Sequence, residues 1–159
     1  MDPVDRVRTA LAEAGLDASL VQELPADTST AEAAAQAVGA PQGSIVKSLI
    51  FLADGVPTLV LVSGDQRADV KRLRAELGLS KKRLRIAQSH EVLENTGFPV
   101  GGVPPVGHQP PLRTLIDATL GRFEKVWAAA GSAHAVFPIG FQQLVTITQG
   151  EVLDLATGD

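Results

Sequence analysis

Lys47 stands inside Ile45-Val46-Lys47-Ser48-Leu49-Ile50-Phe51-Leu52-Ala53, a run that is otherwise almost wholly apolar. A strand's period of two sets Lys47 on one face with Ile45, Leu49 and Phe51, and Val46, Ile50 and Leu52 on the other. An ammonium among such neighbours is costly unless a polar or anionic group meets it. Two readings stay open with equal weight. One is a snorkelling lysine or a structural ion pair; the other is a cation lining a pocket for a phosphate or carboxyl oxygen. A second feature is the stretch Thr96 to His108, TGFPVGGVPPVGH. Glycines let backbone N–H groups approach a ligand closely, and prolines stiffen the chain that aims them. A cradle of that kind suits the oxyanion that develops during ester cleavage. Most Gly/Pro loops are nevertheless plain connectors.

Other chemistries are thinly represented. Cysteine is absent, which excludes disulfides, thiolate zinc sites and a cysteine nucleophile. The three histidines, His90, His108 and His134, lack the i, i+4 spacing of a helical zinc pair, so neither a metal nor a cofactor is expected. Thr28 and Ser29 are within reach of a pocket, although helix capping accounts for one hydroxyl among Thr28, Ser29 and Thr30. Asp65 follows Ser63-Gly64 and reads as a turn residue or a pocket wall. Asp117 ends a strand and reads as a loop brace before a catalyst. His108 and His134 are weaker candidates for a pocket, and Trp127 reads as core.

Net charge is −4, yet eight bases and only two acids lie between Arg67 and Arg85, a local +6. Lys71, Arg74 and Arg85 are the candidates there for contact with a phosphate backbone, against the alternative of a solvated helix face. The N-terminal residues Met1 to Asp5 hold two acids and no apolar run, and no stretch approaches a membrane span. A cytoplasmic protein is expected.

The elements that must position these residues alternate between short strands and short helices, an α+β pattern for a single domain over 1–159. A helix is predicted over Asp2 to Ala14, with Val4, Val7 and Leu11 inward and Gly15 as its stop. A strand follows over Ser19 to Leu24. Ser29 and Glu32, at capping-box spacing, open an Ala-rich helix that Gly39 ends. Ile45 to Ala53 is a central strand, Pro57 breaks it, and Thr58 to Val62 is the next. Asp69 caps a helix that buries Val70, Leu73 and Leu77 and shows Arg67, Lys71 and Arg74 outward. After a strand at Leu84 to Ala87, Ser89 starts a helix stopped by Gly97. Phe98 to Pro111 is loop. Strands at Thr114 to Asp117, Glu124 to Ala129 and His134 to Ile139 precede a helix from Phe141 to Gly150 and a last strand, Glu151 to Leu155.

Ile45-Val46-Lys47-Ser48-Leu49, the loop Thr96 to His108 and Leu115-Ile116-Asp117 together resemble the signature of the YbaK/ProX-type aminoacyl-tRNA editing family, and of the editing domain inserted in bacterial prolyl-tRNA synthetases. The resemblance runs from about Ser19 to Leu155. It places the family's lysine on Lys47 and its G-x-x-x-P loop on Gly101 to Pro105. It implies a mixed, partly barrel-like β-sheet flanked by short helices. It also implies a metal-independent, substrate-assisted deacylase acting in trans on mischarged tRNA, with a synthetase as a further partner and a monomer or homodimer as the assembly. In that reading Lys47 holds the terminal phosphate or ribose, the amides of Gly101 and Gly102 polarise the ester carbonyl, and Pro105, which ends the motif, contributes to substrate binding. Pro104 stands where many cysteinyl-tRNA deacylases have Ser, and the strand His134 to Ile139 lacks an acid found in some members, so the amino acid removed is not specified. A catalytically silent tRNA- or synthetase-binding module and a small-ester hydrolase are the competing classes. Tight tRNA binding without cleavage marks the first; activity on substrates lacking RNA marks the second.

Overall fold

Asp2 accepts the Val4 N–H at 2.8 Å and starts α1 (Pro3–Glu13) directly before a proline at its first helical position. The segment expected to be a strand over Ser19 to Leu24 is a 3₁₀ turn, Ala18–Leu20, and then only β1 (Gln22–Glu23). Asp17 causes this by accepting from both the backbone N–H and the hydroxyl of Ser19, which offers the chain a turn in place of a ladder. The cap of α2 (Ala31–Val38) is Thr30, whose Oγ1 accepts from Ala33 at 3.1 Å, while Ser29 is held by Asp27.

β2 (Val46–Ala53) and β3 (Val56–Ser63) form a hairpin, and Pro57 lies inside β3 rather than ending a strand. The turn is Asp54-Gly55, both at positive φ (51° and 82°), as a two-residue hairpin loop of primed type requires. Pro57 pairs with Leu52, and the bonds at Ile50 and Asp54 show that even-numbered residues of β2 aim their backbone groups away from β3. The missing proline N–H therefore costs the ladder nothing.

β4 (Gln66–Ala68) contains Arg67, so that residue does not share a helix face with Lys71 and Arg74. In α3 (Val70–Leu77), Asp69 caps as expected and Leu73 is fully buried, but Val70 is 41% exposed because it begins the helix beyond the packed stripe. β5 (Leu84–Ile86) leads to α4 (Ser89–Thr96), where Gln88 is the cap and Glu91 accepts its N–H. β6 (Arg113–Asp117), β7 (Lys125–Ala129), β8 (Ala135–Gly140), α5 (Phe141–Thr148), β9 (Glu151–Leu153) and β10 (Ala156–Gly158) complete residues 1–158, which the computed structural model describes.

The main sheet has the order β5-β2-β3-β6-β9, antiparallel from β5 to β3 and parallel from β3 to β9. A second sheet, β1-β8-β7, is antiparallel, and β4 pairs with β10. A single parallel bridge, Ile45 to Trp127, joins the second sheet to the start of β2. The strand orders do not close on themselves, so the described residues form open sheets joined at this bridge. β3 is buried on both faces: Leu59 and Leu61 pack with Val7 and Leu11 of α1, and Val60 and Val62 pack with Leu73 and Leu155. α2 covers the bridge through Ala34 and Ala35.

Candidate active site

Where the two sheets meet, a cavity of about 420 Å³ opens between the first half of β2, the N-terminal end of α2, the loop after α4 and strands β7 and β8. Pairing to β5 begins only at Phe51, with Ala87 bonding Ile50, so Lys47 to Leu49 offer the cavity an unpaired strand edge. Lys47 lines it, half-buried. Its Nζ donates to the Gln66 carbonyl, and among the described residues no carboxylate lies within salt-bridge reach. A structural ion pair is thus not what holds this ammonium; it keeps donors to spare.

Gly101 lines the same cavity. The Gly102 N–H donates to the Pro99 carbonyl at 2.9 Å, closing a four-residue turn with Gly101 third, at φ +88°. A type II turn demands that sign of φ at its third residue. A second constraint is close approach, since a Cβ on Gly101 would lie 2.7 Å from Cβ of Ser29. The Gly101 N–H has no acceptor among the described residues. Gly102 differs. Its N–H is consumed by the turn, its carbonyl accepts from Gly131, and a Cβ there would meet the Ser132 backbone at 2.8 Å. The expected pair of oxyanion donors reduces to one free amide.

Thr28 and Ser29 also line the cavity; Thr28 is buried and donates to Ala133 at 2.9 Å, while Ser29 is exposed at the rim. The remaining candidates lie elsewhere. Pro105 is buried within the loop and does not reach the cavity. His108 is 6% exposed, donates through Nε2 to Pro104 at 2.7 Å and meets Phe98 edge-on. Burial, reinforced by nearby Arg6 and opposed by the Pro104 bond, pushes its pKa down, so it is a neutral interior brace. Asp117 braces as expected but toward the C-terminal end, accepting from Leu155 at 2.7 Å and from Thr119 at 3.0 Å. Asp65 does not line the cavity and accepts from the Ser63 hydroxyl at 2.9 Å. Arg122 binds it at 2.7 Å and holds its carboxyl below the usual carboxylate range. His134 is exposed and contacts Ala26.

Several lining residues carried no signal of their own in the sequence. Glu32 is, with Lys47, one of two charged side chains on the cavity. Ser48 lies beside Lys47 with its Oγ buried and unpartnered. Trp127 is both core and wall. The polar Ser48 within an apolar strand was the one visible hint.

In the basic stretch, Arg85 makes a two-pronged pair with Glu91, both contacts 2.7 Å, and this holds Glu91 down to about 2. Lys71 and Arg74 remain without carboxylate partners among the described residues. Among the described residues no helix is long and apolar enough to cross a membrane, and no three His, Asp or Glu side chains are grouped to hold a metal ion.

The profile of the aminoacyl-tRNA editing domain matches residues 25–147. Uncharacterized protein YwhH of Bacillus subtilis is 34% identical over 127 residues, 78% of each chain. The proline–tRNA ligase of Solidesulfovibrio magneticus is 30% identical over 130 residues, 82% of this chain but 22% of that enzyme. A crystal structure described as a candidate trans-editing enzyme for prolyl-tRNA synthetase superposes with a TM-score of 0.90 at 43% identity, covering 99% of both chains. With the Lys47 strand and the Gly101 turn facing one cavity, and with most of its length matched, this chain belongs to the aminoacyl-tRNA editing domain family.

Proposed function

We propose that the whole chain is an editing domain that acts in trans, hydrolysing the ester between a wrongly attached amino acid and the terminal ribose of tRNA. The observation that carries this reading is the shared cavity of Lys47 and Gly101, with spare ammonium donors on one side and a free, turn-fixed amide on the other. Similarity to a chain of the same length described as a candidate for trans-editing supports action without an attached synthetase body.

Water adds to the carbonyl carbon, the π electrons move onto the carbonyl oxygen, and the Gly101 N–H donates to the resulting oxyanion. Collapse breaks the bond to the ribose oxygen, which leaves with a proton from the attacking water. Free amino acid and uncharged tRNA result. In this reading the vicinal ribose hydroxyl relays that proton; it is supported by a cavity lining in which Glu32 is the one carboxylate among the described residues and no histidine occurs. Lys47 binds the terminal phosphate or ribose. An aminoacyl ester is already activated, which leaves positioning and electrostatics as the main demand on the protein.

A panel of mischarged tRNAs, incubated with enzyme in stoichiometric amount and assayed for free amino acid, tests the proposal. Deacylation of at least one member is expected; none from any member would refute it.

A further inference from the structure

The turn that presents Gly101 is only as well aimed as the loop that carries it, and the loop is held from behind by a residue on the first helix. Arg6, half-buried on α1, sends Nη2 to two carbonyls, Gly107 at 3.1 Å and Thr96 at 3.4 Å. Those carbonyls mark the two ends of the Gly/Pro loop. Its guanidinium carbon lies 4.3 Å from the ring centroid of Phe98, which is fully buried between them. Phe98 in turn packs T-shaped against His108, whose Nε2 donates to the Pro104 carbonyl. A Cβ on Gly97 would sit 2.7 Å from Nη1 of Arg6, so the guanidinium lies directly against the backbone at the start of the loop.

A planar cation that spans both loop ends and covers the aromatic anchor does more than fill space. It fixes the separation of residues 96 and 107, and so the path of the turn between them. Arg6 touches no part of the cavity. We infer that Arg6 is a positioning residue for ester cleavage, clamping the loop so that the Gly101 amide stays aimed at the carbonyl oxygen. This rests on the proposed deacylase reading for its chemical consequence, but the clamp itself can be measured without it. A displaced donor weakens the transition state more than the ground state, because the oxyanion forms only on the way to it.

The test compares Arg6→Ala and Arg6→Lys with the parent and with Arg8→Lys, a half-buried neighbour on the same helix that pairs with Asp5 and Glu23 and makes no hydrogen bond with the loop. Lysine keeps the charge and the stem but cannot bond two carbonyls while stacking, so Arg6→Lys keeps the test alive if alanine does not fold. Both Arg6 variants are expected to lose kcat on mischarged tRNA by roughly tenfold or more, with KM within about twofold. Amide exchange should quicken in residues 97–107 and stay unchanged in β2 and β3, and Arg8→Lys should match the parent throughout. Unchanged kcat, or unchanged loop exchange in both variants, would overturn the clamp. A parent protein inactive on every mischarged tRNA would sink the deacylase reading alone, since loop exchange would still decide whether Arg6 holds the loop.

Discussion

Lys47 and the stretch from Arg67 to Arg85 present positive charge in opposite ways. Lys47 is a lone cation in an apolar strand, and among the described residues the fold gives it one carbonyl and no carboxylate. The basic stretch carries eight cations, yet Arg72 turns to Asp69, Arg83 to Asp54 and Arg85 to Glu91. Asp54 and Glu91 lie outside the stretch, so a count taken along the chain overstates the charge that the surface displays. Isolation and burial preserve a charge for a ligand; crowding on a solvated surface invites local acids to neutralise it.

Replacing Lys47 should give the largest effect. Lys47→Ala is expected to lower kcat/KM on mischarged tRNA by on the order of a hundredfold to a thousandfold while leaving circular dichroism and thermal unfolding close to the parent. A folded Lys47→Ala protein with full activity would erase the distinction between the two regions. Gly101→Ala comes next. The positive φ and the contact with Ser29 both oppose a methyl group, so a rate loss of about tenfold to a hundredfold should accompany a stability loss of about 1–2 kcal/mol in urea unfolding.

On the basic side the effects are smaller and of another kind. The double change Lys71→Ala with Arg74→Ala should weaken tRNA binding several-fold and flatten its salt dependence by about one to two units of slope, without altering cleavage of a minimal aminoacyl-adenosine ester. Arg85→Ala should change the salt slope little, because Glu91 already occupies its guanidinium. Equal slopes for the Arg85 change and the double change would break the comparison.

The smallest effect is one of pH. His108 has a folded pKa below the ordinary 6.5, so the unfolded chain binds the proton more readily. Stability is complete above 6.5 and declines as pH falls through that value toward the depressed folded pKa. Urea midpoints between pH 7.5 and 5.5 should fall for the parent and stay flatter for His108→Gln. A steeper decline in the variant would contradict the assignment of a neutral imidazole.

Much of the site could be read along the chain because its signals are local. Alternation put Lys47 in a strand with Leu49 and Phe51, and positive φ at Gly101 follows from a glycine placed third in a turn. Asp69 capped its helix, and Gly39, Gly78 and Gly97 ended theirs in left-handed geometry. Local signals misled where two of them compete over a few residues. Asp17 drew Ser19 into a turn, Thr30 took the cap from Ser29, and Pro57 was harmless because it faces a position of β2 that needs no donor.

The sequence by itself determined the alternating strands, the stiff glycine-proline turn, the absence of thiol chemistry and the family signature. Those follow from bonds and steric preferences that reach only a few residues. Tertiary structure alone decided that Gly102 spends its amide within the turn, that His108 braces the loop rather than lining the cavity, that Asp117 braces Leu155 rather than the loop, and that β4 finds β10 some ninety residues away. It also decided that Arg6 reaches both ends of a loop ninety to a hundred residues downstream. Such pairings depend on which segments the core brings together, and burial is not directional enough to reveal them residue by residue along the chain.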